Sequence, residues 1–205
     1  MASYPDGWNR DTCLIGIAKQ NGADAAFAAL VETVDFSGGE KDMESVASLA
    51  GNRYVKHSPM TDITITFEGY ALEAATASVT QGGAAKGFFD LLHGGLGTHT
   101  TQPISISADA EHIKYRVTVL WTDDTAATDA AAGIATTTKN ANRFVLADCY
   151  CTSVTPSFTD GILKFTCTFK GPPLDSAASA NWRMESADST QPLAVLNSYT
   201  TATKF

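Results

Sequence analysis

The stretch from Thr61 to Glu68 sets the terms for the rest of the chain. It reads TDITITFE. Thr61, Ile63, Ile65 and Phe67 fall on one side, and Asp62, Thr64, Thr66 and Glu68 on the other. A period of two over this length describes a half-buried β-strand. Such a strand needs a second apolar layer to cover its inner face. The chain therefore has to supply further strands of the same kind.

It does. Leu163, Phe165, Cys167 and Phe169 alternate with Lys164, Thr166, Thr168 and Lys170, and the sequence Gly171-Pro172-Pro173 ends that strand. From His112 to Trp121, Ile113, Tyr115, Val117, Val119 and Trp121 share one side. His112, Lys114, Arg116 and Thr118 share the other. Thr12 to Ala18 and Pro103 to Ser107 are shorter strands. Arg143 to Thr155 pairs with the Ile162–Lys170 strand across a turn at Pro156–Gly161, where Asp160-Gly161 is a favourable turn pair. Ala25 to Phe36 is mixed. Its start permits helix, while Val31, Val34 and Phe36 favour strand.

The period changes once. Ala85, Phe88, Phe89 and Leu92 fall at i, i+3, i+4 and i+7, a single helical stripe, and Gly94-Gly95 follow as a stop. The expectation is one short helix whose Phe88, Phe89 and Leu92 pack on a sheet. The fold class is thus mainly β: a β-sandwich or partly closed barrel of two packed sheets, with one flanking helix, a long inter-strand loop and extended terminal arms. At 205 residues, 44% of them hydrophobic, one domain accounts for the chain. Its expected parts are an N-terminal arm over 1–11, a core over 12–173 and a C-terminal arm over 174–205. The Ala/Thr-rich stretch 122–142 contributes little core.

Charge narrows the function. Fourteen basic against 22 acidic residues give 14 − 22 = −8, which argues against a basic nucleic-acid-binding face. No run approaches the ~20 apolar residues of a membrane span. The start, MASYPDGWNRD, lacks the basic and apolar regions of a signal peptide, so a cytoplasmic site of synthesis and no membrane association are expected.

Catalytic patterns fail in turn. There is no GxSxG, no GxxxxGK[ST] and no HExxH. Cys149 and Cys151 share the spacing of some metal sites, with Cys167 across the hairpin. A closed zinc site needs a fourth ligand and wrapping turns, so reduced core thiols are the better reading, and Cys13 is read the same way. His93 and His99 flank a glycine-rich loop, which a solvated helix end explains. No enzyme activity, metal or cofactor is expected.

The segment between Leu30 and Leu72 carries one more signal. Ser37-Gly38-Gly39 ends a strand, and a charged run follows, Glu40, Lys41, Asp42, Met43 and Glu44. Next come a turn at Ala50-Gly51-Asn52 and Pro59. A long, partly ordered loop is expected here. A solvated loop rarely needs Met43, Val46, Leu49 and Tyr54, so this loop reads as an inter-subunit or inter-ring contact.

That succession is VETVD (31–35), GGEKDME (38–44), NRYVK (52–56) and PMTDITITFE (59–68). It resembles the N-terminal half of the tail tube, or major tail, proteins of long-tailed bacterial or archaeal viruses. The second half agrees in layout through Tyr115-Arg116-Val117, the Asp160-Gly161 hairpin and FTCTFK (165–170). The resemblance implies a structural virion protein that self-assembles into stacked, six-membered rings forming a hollow tail tube for DNA ejection. It implies assembly in the host cytoplasm and partners in the tape-measure protein, the tail terminator and the baseplate or tip proteins. DNA would pass without specific binding. A ring of six would carry 6 × (−8) = −48, and an acidic lumen repels phosphate. Asp62 and Glu68 are the candidate lumen-facing residues by polarity. Two alternatives stand beside this. One is a tail terminator or distal tail ring of the same fold. The other is a monomeric carbohydrate- or surface-binding β-sandwich using Trp121 or Trp182 as a platform.

Overall fold

The computed structural model describes residues 12–19, 25–28, 31–51, 53–70, 92, 112–122, 141–159 and 161–186. Ten strands run through them: β1 (Thr12–Lys19), β2 (Ala25–Ala28), β3 (Val31–Ser37), β4 (Met43–Ala47), β5 (Arg53–His57), β6 (Ile63–Tyr70), β7 (Lys114–Thr122), β8 (Ala141–Thr159), β9 (Ile162–Gly171) and β10 (Trp182–Ser186). Eight form one antiparallel sheet in the order β2-β1-β7-β8-β9-β6-β3, with β10 on β8. The remaining two, β4 and β5, form a separate ribbon. The expected mainly β architecture is what the chain adopts.

The long sheet curls over its own inner face without closing into a barrel. Phe36 on β3, at one end of the strand order, meets Trp121 on β7 (ring centroids 5.8 Å), Phe144 on β8 (5.1 Å) and Trp182 on β10 (5.4 Å). Only a folded-over sheet brings those strands together. Between the layers lie Ile15, Ile17, Ile63, Ile65, Phe67, Val117, Val119, Leu146, Phe165, Cys167 and Phe169, all buried. Phe67 stacks on Phe169 and meets Phe165 edge-on, each at 6.1 Å. Aromatic pairs in such geometries contribute about 0.5–1.5 kcal/mol beyond burial. Register shifts at Val31/Thr33, Tyr115/Val117 and Cys151/Ser153 add the local twist that coiling needs.

The strand β8 joins two ladders. Its first half pairs with β7 from Ala141 to Tyr150. Its second half pairs with β9 from Tyr150 to Thr159. The same edge that β9 occupies is continued by β10, from Trp182↔Leu146 to Ser186↔Asn142. Between them residues 172–181 loop out, and Asn181 staples the loop down. Its side chain accepts from Asp148 N (2.8 Å) and donates to the carbonyls of Asp148 (2.9 Å) and Pro172 (2.6 Å). Close approach at this corner requires Gly171, because a Cβ there would lie 2.6 Å from the Asp148 carbonyl oxygen.

Several expectations change. Ala25–Ala28 is strand, which resolves the mixed reading of that segment. β8 runs through Pro156 to Thr159, so the turn is tighter than expected. Trp182–Ser186, within the stretch expected as a C-terminal arm, pairs with β8. Of the expected helix, Phe88 and Phe89 lie outside the described residues. Leu92 is buried in the core, and its carbonyl accepts the Tyr115 hydroxyl at 3.3 Å. Residues 1–11, 103–107 and 123–140 also lie outside.

Candidate functional site

The outer face of the β3-β6-β9-β8 half is built from hydroxyls and charges. The alternation that buries Ile63, Ile65 and Phe67 turns their neighbours outward, and the register places those neighbours side by side. Thr33, Asp35 and Ser37 oppose Glu68, Thr66 and Thr64. Thr64, Thr66 and Glu68 oppose Lys170, Thr168 and Thr166. Thr168, Thr166 and Lys164 then oppose Ser153, Thr155 and Ser157. The Thr66 and Thr168 hydroxyls sit 3.2 Å apart. Lys164 Nζ reaches Glu32 (2.5 Å) and Glu68 (3.6 Å), and Lys170 Nζ reaches Asp62 (3.6 Å). Four carboxylates, from Glu32, Asp35, Asp62 and Glu68, against two lysines leave 2 − 4 = −2 on this face. Both residues expected to face a lumen, Asp62 and Glu68, are therefore on it, each paired with a lysine.

Two strand edges bound the face. At one side β3 ends the strand order. At the other, β7 leaves β8 at Tyr150, so among the described residues 151–159 have no partner on that side. All neighbours in β3-β6-β9-β8 are antiparallel. With four strands, the two outer ones run in opposite directions. A second copy's β3 laid on this edge of β8 would thus continue the antiparallel ladder with its polar face on the same side.

The segment expected as a loop is instead a projecting ribbon. β4 and β5 pair from Met43↔His57 to Ala47↔Arg53. The ribbon continues the β3–β6 ladder: Gly39 N donates to Thr61 O (3.1 Å), Thr61 N to Glu40 O (3.0 Å) and Ser58 N to Asp42 O (3.0 Å). Side chains reinforce this base, Thr61 Oγ1 accepting from Glu40 N (3.1 Å) and Ser58 Oγ from Asp42 N (3.0 Å). Gly38 makes the junction possible. Its φ is +94°, and a Cβ would sit 1.8 Å from the Asp62 carbonyl oxygen. At ~3.3 Å per residue, the dozen residues from Ser37 to Leu49 reach on the order of 40 Å. A two-stranded ribbon is marginal alone in water, yet this one exposes Leu49 fully, Met43 at 72% and Tyr54 at 64%. Glu40, Lys41, Asp42, Met43 and Glu44, the expected contact residues, all lie exposed along its first strand and base.

The thiols do not form a reactive site. Burial pushes Cys13 up to about 12 and Cys151 up to about 11, and raises Cys149 and Cys167 as well. Protonated thiols in an apolar core are poor nucleophiles and poor metal ligands. Among the described residues no group of three His, Cys, Asp or Glu side chains could hold a metal ion. His57 and His112 are exposed, and His93 and His99 lie outside the described residues. Trp121 and Trp182 pack on Phe144 at 5.3 and 5.8 Å, against the core. They offer no open aromatic platform of the kind the carbohydrate-binding alternative required.

The sequence matches no protein-family profile and no curated protein. Among solved structures, the chain is similar to the sheath/tube terminator of an extracellular contractile injection system in its extended state. Identity is 15% over 90% of this chain and 99% of the other, with a TM-score of 0.42. It is similar to the tube-terminating cap of the anti-feeding prophage (12% identity, 91% and 95% covered, TM-score 0.43). A third is the sheath–tube complex of the extracellular contractile injection system (15%, 90% and 93%, TM-score 0.41).

Proposed function

We propose that the protein is a ring-forming structural component of a viral tail, its polar sheet face lining a channel through which DNA passes. The observation that carries this reading is the four-stranded antiparallel face with an unpaired edge on each side among the described residues, directed so that copies can add head to tail. An exposed sheet edge on a folded protein is a hazard unless another chain covers it, and a head-to-tail contact whose rotation closes makes a ring. The sequence resemblance to tail tube proteins supports the same reading. So does the surface chemistry. Hydroxyls, lysines already paired with carboxylates and a net −2 give phosphate nothing to grip. The projecting ribbon supplies the contact to the next ring, and the tape-measure, terminator and baseplate or tip proteins are the partners at the ends.

Electron microscopy of the purified protein at high concentration tests this, with annular particles or tubes expected. A monodisperse monomer, even with the other tail components added, would sink it. The terminator reading uses the same ring, and copy number separates the two. Many copies per particle identify a tube wall, and a single ring identifies a terminator or distal ring.

A further inference from the structure

The β6–β9 ladder has chemically matching features at its two ends. At the end from which the ribbon projects, an apolar cleft of about 460 Å³ opens between the ribbon base and the β9–β10 connection. Lys41, Pro59, Met60, Pro172, Pro173 and Leu174 line it. Gly171 pairs with Ile63 at this end. At the far end β8 and β9 turn back at Thr159↔Ile162, with Phe158 opposite Leu163. Nine residues along β9 separate Gly171 from Ile162, roughly 30 Å of extended chain. Phe158 is 74% exposed at that tip, beyond the reach of the core that covers Phe165 and Phe169.

The geometry points to a stacking contact between copies in which the β8–β9 tip of one copy seats Phe158 in the cleft of the next. This rests on the ring reading and deepens it, by naming the partner surfaces between rings. Charge favours this occupant over an unrelated apolar segment. In sequence, Asp160 is the one ionisable residue between Phe158 and Lys164. The cleft carries Lys41, exposed and without an ion-pair partner among the described residues, together with His57 and Ser58. An exposed aromatic anchor followed in sequence by one acid fits an apolar cleft rimmed by Lys41 and His57. A surface at one end of a molecule that fits a different surface at its other end makes an open, heterologous stack. Aromatic anchors in desolvated pockets dominate such contacts.

Site-directed cross-linking tests it. A Phe158→Cys chain is mixed with a Leu174→Cys chain under mild oxidation, each chain alone serving as the control. The four native thiols are buried or partly buried and compete little. Disulfide-linked heterodimers in the mixture only are the expected result. Leu174→Asp, in the cleft and away from the β3 and β8 edges, is expected to leave single rings intact and to raise the concentration at which they stack by at least about tenfold. Tubes that form without the cross-link, or stack normally with Leu174→Asp, overturn this contact and leave the ring reading standing. A wild-type chain that never forms rings overturns both.

Discussion

The two halves of the curled sheet share one inner core and differ in what covers their outer faces. In the β3-β6-β9 half the outer residues are Thr, Ser, Asp, Glu and Lys, half-buried or exposed. In the β1-β7-β8 half the outer residues are buried too. Ala18, Thr118, Leu120, Arg143, Val145 and Ala147 are all at or below 2% exposure. One half is a wall with a wet side, and the other is an internal layer. A threonine means different things in each. Thr66 shares its hydroxyl with Thr168 across the wet face, whereas Thr118 is fully buried and donates to the Gly16 carbonyl at 3.3 Å. Arginine follows the same rule. Arg143 is buried and held by Glu185 through both Nε and a terminal guanidinium nitrogen. It lies close enough to Arg116 to help lower that residue's affinity for its proton, a shift to which burial contributes most.

The sharpest way to break this comparison is to place the same charge on each side. Thr118→Lys buries a third cation in the layer that already holds Arg116 and Arg143 and is expected to cost at least about 3 kcal/mol, enough to unfold much of the population. Thr66→Lys puts the ammonium on a face that already carries charges, and a change within about 1 kcal/mol is expected. Urea unfolding of the two variants decides it. Similar losses in both would mean that the β6–β9 outer face is as dry as the β7 face.

The same asymmetry explains what the sequence revealed. In β6 and β9 one face is wet, so apolar and polar residues alternate and the pattern names the buried set: Ile63, Ile65, Phe67, Phe165, Cys167 and Phe169. In β1 and the first half of β8 both faces are buried, and the strands read as near-continuous apolar runs, CLIGIA and FVLADC. Such runs hide which side is which. The polar residues of β7 misled differently, since Arg116 and Thr118 mark an outer side that is nonetheless covered. Pro156 read as a turn, but it sits inside β8. Proline is tolerated there because that stretch is an edge, where a ladder can lack an N–H. The ribbon was the least legible element. Met43–Ala47 and Arg53–His57 have no apolar face of their own, and their pairing is imposed by the backbone geometry at Gly38 and Gly39. The turn at its tip did show, through Gly51 with its φ of +80°.

Alkaline titration sharpens what the halves have in common. Cys13 and Cys149 belong to the internal layer and Cys151 and Cys167 to the wall, yet all four lie with the shared core. Each has its proton affinity raised by burial, so the unfolded chain releases these protons first. Bound protons are then fewer in the unfolded state, and stability falls as pH rises. The loss starts above the ordinary thiol value of 9.0 and runs through about 11 for Cys151 and about 12 for Cys13. The slope is about 1.4 kcal/mol per pH unit for each thiol in its window. Replacing Cys13 or Cys151 with Ala is expected to flatten the curve to a similar degree, read as denaturation midpoints between pH 8.5 and 11. A curve unchanged by Cys13→Ala alone would place that thiol outside the common core.

The smallest expected effect lies in the ion pairs. Lys170 and Asp62 are 52% and 48% exposed at 3.6 Å, on the wet face. Exposed pairs of this kind contribute at most about 0.5–1 kcal/mol and less in salt, so Lys170→Ala is expected to leave thermal stability nearly unchanged. The substitution also moves the charge of the face from −2 to −3. Thermal melts at low and high salt, run beside Arg143→Ala, complete the comparison. Losing the buried Arg143 removes packing as well as its contact with Glu185 and is expected to be several-fold more costly at either ionic strength. A Lys170→Ala variant as damaged as Arg143→Ala would show that the lysine is held in an enclosed environment, and that the polar face is covered in the isolated chain.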